Sequence, residues 1–239
     1  MAKEKEYFFE YKFGFMTIIA TIIMIVAIVV TIPFMGDWGS FDYILDYMMS
    51  SPSKISILLA LFICIVVIFL WGVLHELIHG WFYILGGAKR KNITYGAALE
   101  KGIFYCRCGE YVNKKTVMMS LMAPFTIIGV FTLIIGFIIK QWWLVYLSIF
   151  NLSGAGADLC MFFFFLRRED DVLFVEYGDS SFFSLKTKED LENKSFLCVK
   201  LIDRSKVPKN DNKHRLVISK ASWIVLILFI LLFVLMLFI

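Results

Sequence analysis

About five long apolar stretches constrain the fold of this chain more than any other feature of its sequence. They cover approximately residues 13–35, 55–85, 117–139, 142–166 and 221–239. A transmembrane helix needs about 20 consecutive apolar residues, so each stretch can cross a bilayer as a helix. The composition agrees, because 60% of the residues are hydrophobic and 18% are charged, whereas soluble domains are roughly 45–50% apolar and about 25% charged.

The order of these stretches predicts the fold class and the domain organisation. We expect an all-α polytopic membrane protein with about five transmembrane helices. Residues 1–166 are predicted to form a membrane-embedded core with the first four helices, residues 167–219 a small α+β insertion, and residues 220–239 a C-terminal transmembrane helix. Within the insertion, the pattern predicts a short helix at 188–193 and short strands at 172–177, 182–185 and 196–202.

Charge excludes one class of partner and predicts the orientation in the membrane. A net charge of +4 is too small and too scattered for a nucleic-acid-binding protein. The loop of residues 86–116 is rich in Lys and Arg, whereas the loop of residues 36–54 holds three Asp and a single Lys. Because basic loops face the cytoplasm, we expect a multi-pass cell-membrane protein. Its N-terminus and residues 167–219 would be cytoplasmic, and its C-terminus outside.

Acidic residues inside the apolar stretches mark the candidate functional site. Of 20 Asp and Glu, only Glu76 and Asp158 lie within an apolar stretch, and His75 and His79 lie beside Glu76. A charge at the centre of a membrane helix costs roughly 2.5–3.5 kcal/mol. These four residues therefore predict either a functional site or a structural polar cluster that locks two helices together.

The sequence His-Glu-Leu-Ile-His at residues 75–79 favours a metal site. On a helix, residues four apart project from one face, so His75 and His79 can bind one metal ion while Glu76 reaches a water molecule on it. Two imidazoles and a carboxylate with an open fourth position are typical of catalytic zinc. Zinc lowers the pKa of bound water to about 7, and Glu76 would act as the general base.

Asp158 is the candidate for the third zinc ligand, because it is the one other acid in the apolar stretches. Counted at about 1.5 Å per residue, Asp158 and the two histidines reach the same, cytoplasmic half of the membrane. Asn151 lies seven residues earlier on nearly the same helical face, where it would orient a substrate carbonyl or a ligand, or simply link two helices. The small residues at 153–157 allow close helix approach.

These residues resemble the site-2 protease class of intramembrane metalloproteases, and more closely the bacterial membrane family known as "putative zincin peptidases". In the site-2 class, a later helix carries an Asn and a Leu-Asp-Gly whose Asp is the third zinc ligand, and Asn151 and Asp158 match these two residues. The prolines of that helix are missing here, and Leu159 replaces the Gly. We expect residues 153–156 to supply the irregular backbone instead.

The resemblance also implies a short β-hairpin at the membrane surface, directly after the metal helix. Residues 93–96 and 102–105 have suitable sequences for its two strands. In the site-2 class, such an edge pairs with an unwound substrate, and an exposed edge can hold an extended peptide through main-chain hydrogen bonds. The alternative is an ordinary amphipathic hairpin that rests on the membrane surface.

Two functions fit the pattern. The first is a zinc-dependent intramembrane endopeptidase that cuts a transmembrane or membrane-proximal segment of another protein near the cytoplasmic face. The second is a non-catalytic membrane adaptor, or a metal-binding transporter that uses the same ligands. Glu76 favours the enzyme, because a structural zinc site needs no free base, and the sequence lacks the repeated halves that are common in transporters.

Overall fold

The computed structural model of the chain describes residues 4–39, 54–98, 103–178 and 181–207. The apolar stretch at residues 221–239 and the end of the predicted insertion, residues 208–219, lie outside the described residues. About 60% of the described residues are helical and 20% are in strands. The prediction of an all-α protein is therefore wrong.

Six α-helices form the helical part of the described structure. Helix α1 matches the first apolar stretch, and a π-helical segment, Phe125–Phe131, joins α3 to α4 without a turn. The helices are α1 Phe13–Met35, α2 Lys54–Leu85, α3 Lys114–Pro124, α4 Thr132–Ile138, α5 Trp142–Gly154 and α6 Gly156–Leu166.

Among the described residues, three helical segments are long and apolar enough to cross a membrane: Phe13–Trp38, Ile65–Leu85 and Lys114–Ile138. Helices α5 and α6, with 13 and 11 residues, are each too short and qualify only as a pair, which is bent by 46° at the break. Apolar side chains point outwards along α1, where Ile22 is 51% exposed and Phe34 is 75% exposed. A helix that is apolar on every side fits a lipid environment, so the described structure is compatible with a membrane protein.

A five-stranded antiparallel sheet accounts for most of the strand content. Strand β1, Lys5–Tyr11, lies inside the sheet and pairs with β6 and β7, which follow more than 170 residues later. Its sequence, Lys-Glu-Tyr-Phe-Phe-Glu-Tyr, alternates poorly and precedes a long apolar helix, so it gave no local sign of a strand. The strand order is β4-β5-β6-β1-β7, with β4 Val112–Asn113, β5 Leu173–Tyr177, β6 Phe182–Thr187 and β7 Val199–Ile202.

Of two further elements predicted from the sequence, the hairpin forms and the short helix does not. Strands β2, Ile93–Ala98, and β3, Ile103–Cys108, pair antiparallel as a hairpin, as expected from the resemblance. The short helix predicted at 188–193 does not form, because Asp190 accepts a hydrogen bond from the backbone of Glu192 and holds a turn. The division of the chain into core, insertion and last helix stays a prediction.

Aromatic side chains join the sheet to the ends of the helices that carry the candidate site. The rings of Phe9 on β1 and Phe183 on β6 stack at 5.0 Å, and Phe164 of α6 meets Phe9 edge-on at 5.9 Å. Met16 of α1 and Tyr83 of α2 belong to the same buried cluster. The sheet therefore covers the end of the bundle where α1 and α2 approach α6, and it forms one side of the site.

Candidate metal centre

The two histidines of the His-Glu-Leu-Ile-His sequence lie one turn apart on α2. The centroids of the His75 and His79 rings are 4.8 Å apart, and the two residues are 9% and 7% exposed. Because side chains at i and i+4 share a helix face, both rings present a nitrogen atom to the same buried point.

The carboxylate of Asp158 reaches this point from α6. Its Oδ2 atom lies 3.1 Å from Nε2 of His75, and its Oδ1 atom lies 3.4 Å from Nε2 of His79. The ligand atoms of the three residues all lie within 4.8 Å of one another. Zinc in proteins is tetrahedral with bonds of about 2.1 Å, which sets the ligand atoms roughly 3.4 Å apart. The three residues fit a zinc ion.

Asn151 and Ser120 contact the far sides of the two imidazoles. Nδ1 of His75 is 2.9 Å from Oδ1 of Asn151, whose amide nitrogen donates to the backbone oxygen of Pro124 at 3.1 Å. Nδ1 of His79 is 2.9 Å from the backbone oxygen of Ser120. Because both Nδ1 atoms face acceptors, each would carry the ring proton when a metal ion is bound and would leave Nε2 unprotonated to bind it. Such outer contacts orient metal ligands.

Ser120 was missed by the sequence analysis. Its hydroxyl also donates to the backbone oxygen of His79 at 3.0 Å, and the residue is fully buried on α3. The sequence shows a hydroxyl group within an apolar stretch, but the hydroxyl of such a serine commonly donates to a backbone oxygen of its own helix. Only the packing of α3 on α2 reveals that it contacts the candidate site.

A break between α5 and α6 places Asp158 opposite the histidines. The two helices meet at Ala155 with a bend of 46°. A Cβ atom on Gly156 would lie 2.8 Å from the backbone Cα of Ala20, and Ser153 donates to the backbone oxygen of Ala20 at 2.9 Å. The expectation that these small residues allow close helix approach and an irregular backbone is confirmed.

Glu76 lies beside the cluster in a cavity of about 310 Å³. The cavity is lined mainly by α1, α2, α6 and strands β3 and β5, with single residues from β1, α3 and α5. The carboxylate of Glu76 accepts a hydrogen bond from the backbone N–H of Cys106 on β3. The structure thus brings together all five residues singled out from the sequence: His75, Glu76, His79, Asp158 and Asn151.

Glu176 is a second carboxyl group in the cavity, and the sequence analysis did not identify it. It lies on β5, is 6% exposed, and accepts a hydrogen bond from the backbone N–H of Cys108 at 3.1 Å. The hydroxyl of Tyr11 also donates to it. Burial raises the pKa of Glu176 to about 8, because the charged form loses its hydration. Its spacing along an alternating strand offered no sign that it faces the metal centre.

Comparison with protein families supports the chemistry that this geometry suggests. Residues 67–173 match a family model described as "Putative zincin peptidase". The matched segment contains both histidines, Glu76 and Asp158, and the zincin peptidase family implies zinc as the cofactor. The similarity supports a zincin-like metallopeptidase. Searches of the curated proteins and of the solved structures returned no match.

Proposed function

We propose that the protein is a zinc-dependent intramembrane endopeptidase of the site-2 protease type. It would hydrolyse a peptide bond in a transmembrane or membrane-proximal segment of another membrane protein. The observation that carries the proposal is the convergence of His75, His79 and Asp158 beside Glu76 in a cavity between long apolar helices.

His75, His79 and Asp158 would hold the zinc ion through two Nε2 atoms and a carboxylate oxygen. When bound, zinc polarises the scissile carbonyl and lowers the pKa of water at its open position. Asn151 and Ser120 keep both imidazoles in the tautomer that leaves Nε2 available. No Lys or Arg side chain lines the cavity in the described part of the chain, so the positive charge for this chemistry would come from the metal.

Glu76 is placed to move the proton that hydrolysis requires. One of its carboxylate oxygens accepts a proton from the attacking water as the water oxygen bonds to the carbonyl carbon. The same carboxyl group then passes that proton to the leaving nitrogen as the C–N bond breaks. The side chain is half-buried and faces the same cavity as the three ligands, which limits competition from bulk water.

Strand β3 offers the substrate a main-chain edge beside the metal. Its partner on one side is β2, and Phe104, Tyr105 and Cys106 line the cavity. An extended peptide that adds to this edge takes the place of Glu76 at the Cys106 N–H, and this releases the carboxylate for proton transfer. The hairpin is held against α2, because Gly80 accommodates the ring of Tyr95.

The distribution of charge supports the membrane orientation that we propose. The sheet, the hairpin and the cavity lie at the end of the bundle that carries the basic segments, which the positive-inside rule assigns to the cytoplasm. We therefore propose a multi-pass cell-membrane protein with its active site in the cytoplasmic half. The substrate would unwind there, because the hydrogen bonds of a helix shield its peptide groups.

Substitution of Glu76 tests the proposal. Glu76→Gln keeps the shape of the side chain and removes the base, so cleavage of a membrane-protein substrate should fall by roughly 10²–10⁴-fold. Zinc should remain near one ion per chain. His79→Ala and Asp158→Ala should lose zinc and activity together, whereas Asp170→Asn, which alters an exposed acid in the turn after α6, should change neither.

The outcome separates the enzyme from a non-catalytic protein. A Glu76→Gln chain that keeps both its zinc and its cellular function would contradict the peptidase. The zinc would then be structural or transported, as in a membrane adaptor or transporter that uses the same ligands. Zinc content is measured by elemental analysis, and cleavage by the appearance of product in membranes that contain the candidate substrate.

A further inference from the structure

A second cavity, of about 700 Å³, lies between α1 and α6. We call it the α1–α6 groove. Its walls are apolar and are formed by Phe15, Ile19 and Ile23 of α1 and by Leu159 and Phe163 of α6. Typical ligand pockets hold about 300–1,000 Å³, so the groove has the size of a binding site. Different residues of the same two helices, including Met16 and Asp158, line the metal-centre cavity.

One end of the groove is basic. Arg167, Arg168 and Lys194 line this end, and the lining contains no Asp or Glu. The Nζ atom of Lys12 donates to the backbone oxygen of Phe196, another lining residue, at 2.7 Å. Helix α1 begins at Phe13 beside the same rim, and the N-terminal end of a helix carries a partial positive charge.

The charges at this rim are only partly neutralised. Glu189 pairs with Arg168 at 2.8 Å and with Lys194 at 3.4 Å, so one carboxylate faces two cations. The guanidinium of Arg168 is also fixed over the rings of Phe164 and Phe196, at 5.1 and 5.2 Å from their centroids. Arg167 is exposed and adds a further positive charge. The rim therefore favours an anionic group above an apolar groove.

We propose that the α1–α6 groove binds one anionic phospholipid. Its phosphate lies between Arg167 and Lys194, and an acyl chain lies along Ile19 and Phe163. Basic residues at the cytoplasmic end of apolar helices attract anionic lipid headgroups, and the groove combines this charge with an apolar wall. The exposed side chains of Phe163, 58%, and Leu197, 72%, continue the apolar surface around the acyl chain.

The last apolar stretch of this chain is the competing occupant, and its sequence argues against it. Residues 208–220, which precede that stretch, include Lys213, His214, Arg215 and Lys220. Placing this segment at the rim would bring like charges together, whereas an anionic headgroup is complementary to them. The lipid is therefore the occupant that the charges favour.

Bound lipid would also connect the groove to the metal centre. Helix α6 presents Leu159 and Phe163 to the groove and Asp158 to the cavity, while α1 contributes to both through different faces. A lipid that contacts both helices holds Asp158 in place. This inference concerns binding and stability, so it does not depend on the peptidase proposal.

Photolabelling of the full-length chain tests the inference. The protein is reconstituted in phosphatidylcholine nanodiscs that contain trace phosphatidylglycerol with a photoreactive acyl chain, and labelled peptides are mapped by mass spectrometry. We expect label on the peptides of Ile19 and Phe163. Arg167→Gln with Lys194→Gln should reduce it about 25-fold, because each charge contributes roughly fivefold at an anionic surface. Lys91→Gln with Lys200→Gln, which removes two exposed lysines elsewhere, should leave it unchanged.

Two results could contradict the lipid proposal: the labelling by a comparison lipid and the position of the label. A phosphatidylcholine probe that labels the groove as strongly as phosphatidylglycerol would overturn the proposal, as would unchanged labelling of the Arg167→Gln, Lys194→Gln chain. Label on residues 221–239 in place of α1 and α6 would assign the groove to the last apolar stretch. Phosphatidylglycerol should also raise the thermal midpoint of the wild-type protein and leave that of the double variant unchanged.

Discussion

Nδ1 of His75 and Oδ1 of Asn151 are 2.9 Å apart, and this contact fixes which nitrogen of His75 faces the centre of the site. The amide orientation is determined by its second bond, because Nδ2 donates to the backbone oxygen of Pro124. Asn151 is 4% exposed, so its amide is committed to these two partners. Its predicted role as an outer contact of a zinc ligand is the one that this geometry favours.

Asn151→Ala should weaken zinc binding while leaving the helices intact. Loss of such an outer contact typically costs 10–100-fold in metal affinity, and we expect a change of this size in competition with a chromophoric chelator. Ser148→Ala is the matched control on the same helix, since its buried hydroxyl contacts Thr132 and the backbone oxygen of Leu144, and neither residue lines the metal-centre cavity. Equal zinc affinities for the Asn151→Ala and Ser148→Ala chains would contradict the assigned role.

Gly80→Ala should displace the β2–β3 hairpin without changing zinc binding. A Cβ atom at Gly80 would lie 1.9 Å from the hydroxyl oxygen of Tyr95, so the Tyr95 ring must shift, and we expect this to displace the hairpin from α2. We expect zinc content to stay near that of the wild type and cleavage to fall by roughly 10²-fold, the cost of a misplaced substrate. Gly14→Ala is the control, because a Cβ there meets nothing within 4 Å. Full activity in Gly80→Ala would argue against the β3 edge as the substrate site.

Glu176 should give the protein a pH-dependent stability. Its carboxyl group titrates near pH 4.5 when unperturbed and near 8 in the folded protein, because burial penalises the charged form. Between these values only the folded state keeps the proton. The contribution of Glu176 to the free energy of unfolding is therefore largest below about pH 4.5 and falls as the pH rises to about 8.

Thermal unfolding in detergent at pH 5 and pH 8 measures this contribution. The midpoint of the wild type should fall more over this interval than that of Glu176→Gln, which cannot ionise. Protonation of the histidines can also change zinc binding with pH. This effect is common to both proteins and cancels in the comparison. Parallel pH profiles of the two proteins would show that Glu176 is not held protonated.

The buried ion pair between Arg168 and Glu189 should contribute far more to stability than the neighbouring exposed pair. The side chains of Arg168 and Glu189 are 7% and 8% exposed, whereas that of Lys194 is 50% exposed. Glu189→Ala leaves a buried guanidinium without its carboxylate, which typically costs 3–5 kcal/mol. Lys194→Gln should cost about 0–1 kcal/mol. Chemical denaturation measures both, and equal losses would contradict the difference in burial.

The membrane orientation can be tested with an impermeant thiol reagent on intact cells. We expect labelling of Asp37→Cys, in the loop after α1, and protection of Lys206→Cys, after β7. Both residues are exposed in the structure, while the wild-type thiols of Cys106, Cys108 and Cys198 are buried. Labelling of Lys206→Cys with protection of Asp37→Cys would reverse the proposed orientation and move the active site to the outer leaflet.

The candidate site could be located from the sequence because its signals are local or rare. The spacing of His75 and His79 is a helical property, and Asp158 stands out because few acids occur in apolar stretches. Ser120 and Glu176 carry no such signal, since their roles depend on how α3 and β5 pack against α2 and β3. For these two residues, tertiary contacts alone determine the function.

The helices could be predicted for a related reason, and the sheet could not. A long apolar segment specifies a membrane helix by its own composition, whereas a strand is stabilised by partners that can lie anywhere in the chain. Strand β1 has its partners at Phe182–Thr187 and Val199–Ile202. Because its seven residues precede the first helix and include three charges, they resembled an ordinary polar tail.

The interior position of β1 imposes an order on biosynthesis. This strand leaves the ribosome before any of the described helices, yet both of its neighbours are translated after α6. The nascent strand must therefore stay unpaired while the helices are synthesised, and the sheet closes only at a late stage. Loss of residues 5–11 would divide the sheet into β4-β5-β6 and an isolated β7. A short truncation before the first helix would therefore disrupt a sheet whose other strands come much later in the chain.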